Sequence, residues 1–392
     1  MWSVKLADKP FVYSIFGIQH PTGNPTKSQK DLTEEFDGLI SGHAVHIERL
    51  VQDGCATPFT GKSHIWLAYW KSSTDYQRWW ARENVSQFWA DLPIDAGMWR
   101  EVLTPSPRRS QYGANQTEPS GLGHLGERFD IGHKAAYWGC YRHRMSDHTS
   151  DKMVSPVKEK LEPHRPLCSS SAERSGLDTR PARVHLTQFP DNICFVVEGQ
   201  DHSAITAEEQ QYWVGNFDDS VTRWMKDLME AGPESGILDG RICYDPESGL
   251  FREGEPKALS YNKKVQLFYF QDLREMEKIG RQNKGHVDLR KRFLEAYGPE
   301  GEMIFKMRMT KCIILLATCA TIAFSVTVHD SAATDERNSL GGVMSIQAHE
   351  LPEGISLSDL RKCVENPFGR ELYLDEASLA PFDNEIKKFK SD

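Results

Sequence analysis

None of the eight cysteines is spaced as C-x-x-C, and they are scattered from Cys55 to Cys363, so neither a disulfide framework nor a thiolate zinc site is expected. P-loop, G-x-S-x-G and H-E-x-x-H signatures are missing too, which leaves NTP, acyl-hydrolase and zinc-protease readings without support; a dinucleotide enzyme is not expected either. Positive charge is short: the net charge of -9 argues against a nucleic-acid partner. The N-terminus lacks the continuous apolar stretch of a secretory signal, and the expectation is a cytoplasmic protein. The longest apolar run, residues 312 to 326, falls short of the roughly 20 residues a helix needs to cross a bilayer. Its Ile, Val and Thr content predicts a buried strand pair or core segment, and no membrane partner is expected.

What is present is the balance of a folded protein: 39% apolar, 26% charged and 10% aromatic over 392 residues, with ten Trp. Strand-like FVYSIFGI (11 to 18) precedes helical DLTEEFDGLISG, and HIWLAYW (64 to 70) precedes DYQRWWARENVSQFWADL (75 to 92), whose aromatics recur at helical spacing. WREVLTPS then reads as strand into turn at Pro105 and Pro107. After a polar connector the order returns: NICFVVEGQ (192 to 200), a helix through EEQQYWVGNFDDSVTRWMKDLMEAG, strands GRICYD and KVQLFYF, and a helix through DLREMEKIGRQNKGHVDLRKRFLEAYG.

Two strand-helix-strand blocks predict an α+β fold of two ferredoxin-like halves, a duplication of the dimeric α+β barrel kind with long surface loops. The expected boundaries are a first half over 1–130, a second half over 131–330 and a divergent tail over 331–392. Linkers 106–130 and 148–182, rich in Ser, Pro, Gly and charge, are expected on the surface.

Three polar-in-apolar segments carry the chemistry. In the first, Tyr269, Phe270, Leu273, Met276 and Glu277 lead without a gap to His286. A neutral imidazole on a helix is a common axial ligand of haem iron, whereas a lone surface His beside Lys284 and Asp288 would simply be solvated. The second is Tyr137-Trp138-Gly139 followed by Arg142 and Arg144, and the third runs Glu198-Gly199-Gln200-Asp201-His202-Ser203. Together, over residues 10 to 310, they resemble the haem-containing aldoxime dehydratases, which remove water from an aldoxime to give a nitrile.

That resemblance implies haem b as cofactor, His286 as the proximal iron ligand, and Tyr137 and Trp138 in the haem-binding segment. It makes Arg142, and after it Arg144, the donor to the oxime oxygen, the alternative being a pairing with carboxylates or propionates. Ser203 is the candidate hydroxyl donor, or a helix N-cap before AITAEEQQ, or both. The family stretch usually begins with Ser where Glu198 stands and carries Trp where His202 stands, and a carboxylate at 198 changes the proton inventory of the pocket. Downstream, the family's second, distal His has no counterpart: Met307-Arg308-Met309-Thr310-Lys311 occupies that run, and no His occurs between 286 and 329. Lys311 is the candidate acid-base there. Glu101 resembles a family Glu near the haem edge, although beside Arg100 it also reads as a solvated strand-end residue.

The implied activity is a haem-dependent lyase acting on a small-molecule aldoxime, as monomer or homodimer. The alternatives are a peroxidase-like haem enzyme on the same scaffold and a catalytically degenerate haem-binding relative.

Overall fold

The computed structural model describes residues 2–20, 24–53, 61–93, 96–131, 141–157, 179–180, 183–186, 189–231, 233–297, 311–314, 318–327 and 351–352. Tyr137, Trp138 and most of the tail after 331 lie outside them. Strand β1 (Trp2–Lys5) precedes a first block: β2 (Val12–His20), α1 (Lys27–Ile40), β3 (His46–Asp53), β4 (Lys62–Trp70), α2 (Ser73–Trp80), α3 (Glu83–Ala90) and β5 (Met98–Ser110). Short elements β6 (Gly113–Ala114), β7 (Glu127–Asp130), α4 (Tyr141–Arg144), β8 (Thr179–Arg180) and β9 (Arg183–Leu186) follow. The second block comprises β10 (Cys194–Asp201), α5 (Ala207–Trp213) running through a π turn into α6 (Asp219–Glu230), β11 (Ile237–Tyr244), β12 (Lys263–Phe270), α7 (Leu273–Gln282), α8 (Lys284–Tyr297), β13 (Lys311–Ile314) and β14 (Thr318–Thr327). A last strand, β15 (Leu351–Pro352), pairs with β8.

Among the described residues every strand pairing is antiparallel, and the order within the first block, β3-β4-β2-β5, recurs in the second as β11-β12-β10-β14. Tyr244 of β11 pairs with Val51 of β3, and β14 pairs with β5 from Ser110 to Trp99, so the two blocks close into a ring of eight strands. Period-two alternation then sorts side chains into an inside and an outside. Tyr13, Leu67, Tyr69, Leu103, Phe195, Leu267 and Tyr269 fill the interior. On the outer face of the first block Phe16, Trp66 and Trp70 pack against Phe36 of α1 and Trp79 of α2. On the outer face of the second, Val196, Phe268 and Phe270 pack against Trp213, Val221, Met225 and Leu273 of the helices.

Local chemistry sets the element ends. Thr26 caps α1 with a capping box, its hydroxyl accepting from the Gln29 N–H at 3.2 Å while Gln29 Oε1 accepts from the Thr26 N–H at 3.1 Å. The helix expected over 75 to 92 is two helices that meet at Ala81 and Arg82, so Tyr76, Trp79 and Trp89 all reach one core.

Two expectations for the linkers are overturned. β5 runs through Pro105 and Pro107, which is tolerated because β2 pairs with β5 only as far as Leu103 and a bulge in β14 sits opposite Pro105. The connector 106–130 is likewise no surface loop: its 3-10 turn at Gly121–Leu125 buries Leu122 and Leu125 in the barrel interior. His124 there stacks on His46 at 3.8 Å, and burial, then His46, push its imidazole down to about 4. This turn spells G-x-G-x-x-G from Gly121 to Gly126, but it follows a two-residue antiparallel strand and opens no α-helix, so it is no dinucleotide fingerprint. Within the second linker Met153, Ser155 and Val157 are buried, held by a bond from the Ser155 N–H to Asp272 (2.9 Å) and one from Gln271 to the Val157 carbonyl (2.9 Å).

Candidate active site

His286 owes its setting to a helix break. A single helix was expected from 272 to 298, but Gly280, Asn283 and Gly285 weaken the run, and Asn283 adopts an extended backbone that ends α7. The Asn283 side chain then accepts from the His286 N–H at 2.8 Å, capping α8 as a new helix. His286 Nδ1 lies 2.7 Å from the Gly280 carbonyl, one of the orphan acceptors of α7. Since a carbonyl only accepts, Nδ1 carries the proton and Nε2 keeps its lone pair. Burial lowers the imidazole pKa, while the Gly280 bond acts the other way, so the ring is neutral at pH 7. Its face stacks on Trp224 of α6 at 4.3 Å and 25°. Trp224 in turn packs on the apolar cluster between helices and sheet.

Arg142 is the second residue of α4, and its guanidinium pairs with Glu277 of α7 at 3.3 Å and donates to the Lys152 carbonyl. The carboxylate pairing weighed for this arginine is therefore the one seen, and the pair ties 142–152 to the helix that precedes His286. Arg144, half-buried, directs Nη1 to Gln111 at 3.5 Å. Ser203 is exposed in the turn after β10, its N–H bonded to Asp201 at 2.9 Å. It is not the helix cap: Thr206 caps α5. Lys311 opens β13 opposite Asp201.

Within the third segment, His202 is buried, stacked on Phe251 at 4.1 Å and edge-on to Trp213 at 5.0 Å. Burial, then Lys264, hold its pKa well below the usual imidazole value, so it packs as a neutral aromatic ring. Glu198 is half-buried on β10 and pairs across the ladder with Gln266 of β12. Glu101 is not solvated. It is fully buried in the barrel, accepting from Arg241 and from the Tyr269 hydroxyl at 2.6 Å each. Sequence reasoning missed Trp224, Arg241 and the Asn283 cap; only the cap carried a local signal, an Asn between two glycines.

These residues fit a haem. Among the described residues no group of three His, Cys, Asp or Glu is placed to hold a bare metal ion. A porphyrin brings its own equatorial nitrogens and asks for one neutral imidazole beside an apolar wall, which His286 and the Val196, Phe268, Met225 and Trp224 layer offer.

Fold and site together define a mixed α+β haem-protein class. The chain belongs to the haem-containing dehydratase family, whose profile matches residues 14–318. It is 24% identical over 241 residues to the phenylacetaldoxime dehydratase of Bacillus sp. (strain OxB-1), taking in 60% of this chain and 64% of that protein, just under two thirds of the relative's length. Among solved structures, an aldoxime dehydratase crystallised with butyraldoxime superposes with a TM-score of 0.63 at 15% identity, covering 83% of this chain and 85% of that one. A second aldoxime dehydratase gives 0.63 at 16% identity, covering 83% and 87%. The peroxidase-like and degenerate alternatives gain nothing from these matches. Among the described residues no helix is long and apolar enough to cross a membrane.

Proposed function

We propose that this chain is a lyase that dehydrates aldoximes to nitriles on a haem b held by His286. The observation that carries the reading is the imidazole with Nδ1 committed to the Gly280 carbonyl and Nε2 left as a lone pair. When bound, ferrous haem supplies the electron density that weakens the N–O bond of the oxime. The chain's own residues do the rest. Trp224 and the helix-side cluster keep the ring of His286 in place and exclude water. Arg142 and Arg144, with Tyr137 and Trp138 upstream, are the proposed walls and donors, and Ser203 the proposed hydroxyl for the oxime oxygen. Lys311 is the lysine available at the missing distal position, yet an ammonium with an ordinary pKa near 10.4 releases its proton poorly at pH 7. The acid-base step asks for a group that titrates near neutrality.

The repeated strand order supports two ferredoxin-like halves, 1–130 and 131–330, closed as a fused α+β barrel, with 331–392 a divergent tail. A cytoplasmic protein, monomeric or homodimeric, with aryl or alkyl aldoximes as substrates, completes the reading. The test is spectroscopic. Haem-reconstituted protein should show the absorption of an imidazole-bound haem, ferric and ferrous, and convert an aldoxime to its nitrile. His286→Ala should lose that spectrum, and a variant whose spectrum is unchanged overturns the assignment.

A further inference from the structure

The pleat of β10 sorts the third segment into two faces. Cys194 and Val196 belong to the cluster under the helices, while Phe195 and Val197 belong to the barrel interior. Two residues beyond Val196, Glu198 therefore faces the helical layer, the layer in which Trp224 packs and on which His286 is stacked. Across the ladder the same holds: Phe270 pairs with Cys194, Phe268 with Val196, and Gln266 with Glu198. Gln266 is 1% exposed, and its Oε1 is buried without a hydrogen-bond partner. A buried amide oxygen in that state is an acceptor waiting for a donor. Beside it, among the described residues, no cation or donor pairs with the Glu198 carboxylate.

We propose that Glu198 is the acid-base residue of this dehydratase, standing in for the absent distal His, with Gln266 accepting from the oxime hydroxyl. The inference rests on the function proposed above. In the reaction the protonated Glu198 carboxyl gives its proton to the oxime oxygen as the N–O bond breaks with its electron pair on oxygen, and water leaves. The resulting carboxylate takes the carbon-bound proton, whose C–H pair becomes the second π bond between carbon and nitrogen. One aldoxime gives one nitrile and one water, no electrons are gained or lost, and Glu198 returns to its acid form.

Desolvation raises the carboxyl to about 7, with no charged neighbour contributing. The titratable groups nearest it by face are Lys264, whose ammonium is committed to the Leu259 and Tyr261 carbonyls at 3.0 and 3.2 Å, and the neutral His202. From the helices come buried Glu209 of α5, the Arg142–Glu277 pair of α4 and α7, and His286 of α8. On β10 itself Cys194 carries a buried thiol. Lys311 lies three pairings away, opposite Asp201.

The experiment uses the haem-loaded protein and Glu198→Gln, with Glu198→Asp as the conservative variant. Wild-type kcat/KM for an aldoxime should fall as pH rises through about 7. Glu198→Gln should lose that dependence and roughly 10²- to 10⁴-fold in rate, with haem absorption and aldoxime affinity unchanged; Glu198→Asp should regain part of it. Independently of turnover, infrared difference spectra of the wild type should show a protonated carboxyl band that titrates near 7. Absence of that band, or equal nitrile formation by wild type and Glu198→Gln, overturns the proposal alone. No nitrile from the wild type, or a haem spectrum that survives His286→Ala, overturns the function on which it rests.

Discussion

Arg241 is the cation that two carboxylates share inside the barrel: Glu101 of β5 at 2.6 Å and Asp239 of β11 at 3.1 Å. Burial raises the pKa of both acids, opposed by Arg241, and the guanidinium also lies 4.8 Å from the Trp99 ring. Because Glu101 and Arg241 belong to different blocks, the pair ties the two together through the interior. Removing one partner leaves charge in a dry core, so Arg241→Met should cost about 3–5 kcal/mol. Tyr269→Phe, which removes a single bond to Glu101, should cost about 1.5–3 kcal/mol. Urea unfolding checks both, and an Arg241→Met protein that melts with the wild type would remove the pair from the stability argument. In the sequence, Glu101 beside Arg100 looks solvated. Its flanks tell otherwise: Trp99, Glu101 and Leu103 share one face of β5, and that face is the inside.

At the scale of elements, periodicity made most strands and helices legible, because burial on one face leaves a period of two or 3.6. Breaks were less so. The apolar spacing from Leu273 to Phe293 continues across Asn283, which hid the boundary between α7 and α8, yet that boundary aims His286. Asn283→Ala should therefore weaken the cap by about 1 kcal/mol, and loosen haem binding while leaving the sheet intact. Haem titration beside far-ultraviolet dichroism separates the two effects, and an unchanged affinity would mean the cap does not position the imidazole.

Acid reports on the same element. The folded-state pKa of His286 is lowered by burial, so the neutral ring stabilises the fold above the unfolded value near 6.5, and that stability is lost as pH falls. Protonation also removes the lone pair a metal needs. Haem release is thus expected on acidification below about pH 6.5, followed by absorption, and retention of the full spectrum at pH 4 would contradict it. The polar connector failed for another reason: composition marks 106–130 as a loop, but a few scattered apolar anchors, Tyr112, Ala114, Leu122 and Leu125, suffice to draw it into the barrel.

For the molecule as a whole, closure depends on one strand. β14 pairs with β5 along one edge and with β10 through Cys194↔Cys319 and Phe195↔Thr318 along the other, and β13 extends the β10 edge from Glu198 to Asp201. The apolar run 312–326 signalled strand structure, and the structure has β13 and β14 there, each paired with other strands; what no local pattern could tell is that β14 is the seam of a ring, since that requires partners about 200 residues upstream. Without it, β5 and β10 become open edges, each with unpaired backbone groups and an apolar face, the arrangement that invites chain-to-chain pairing. A chain stopped after residue 310 should accumulate as aggregate and bind no haem. A gentler change isolates the ladder from the lost mass: Ile322→Pro removes an N–H opposite Leu103 in the middle of the seam and should lower the thermal midpoint by several degrees, since a loss of about 1 kcal/mol already shifts a large domain by about 2–4 °C. Light scattering and thermal melts read both. Should the truncated chain remain monodisperse and melt where the full chain does, the barrel is held shut by the β3–β11 contact alone, and β14 is only a cover.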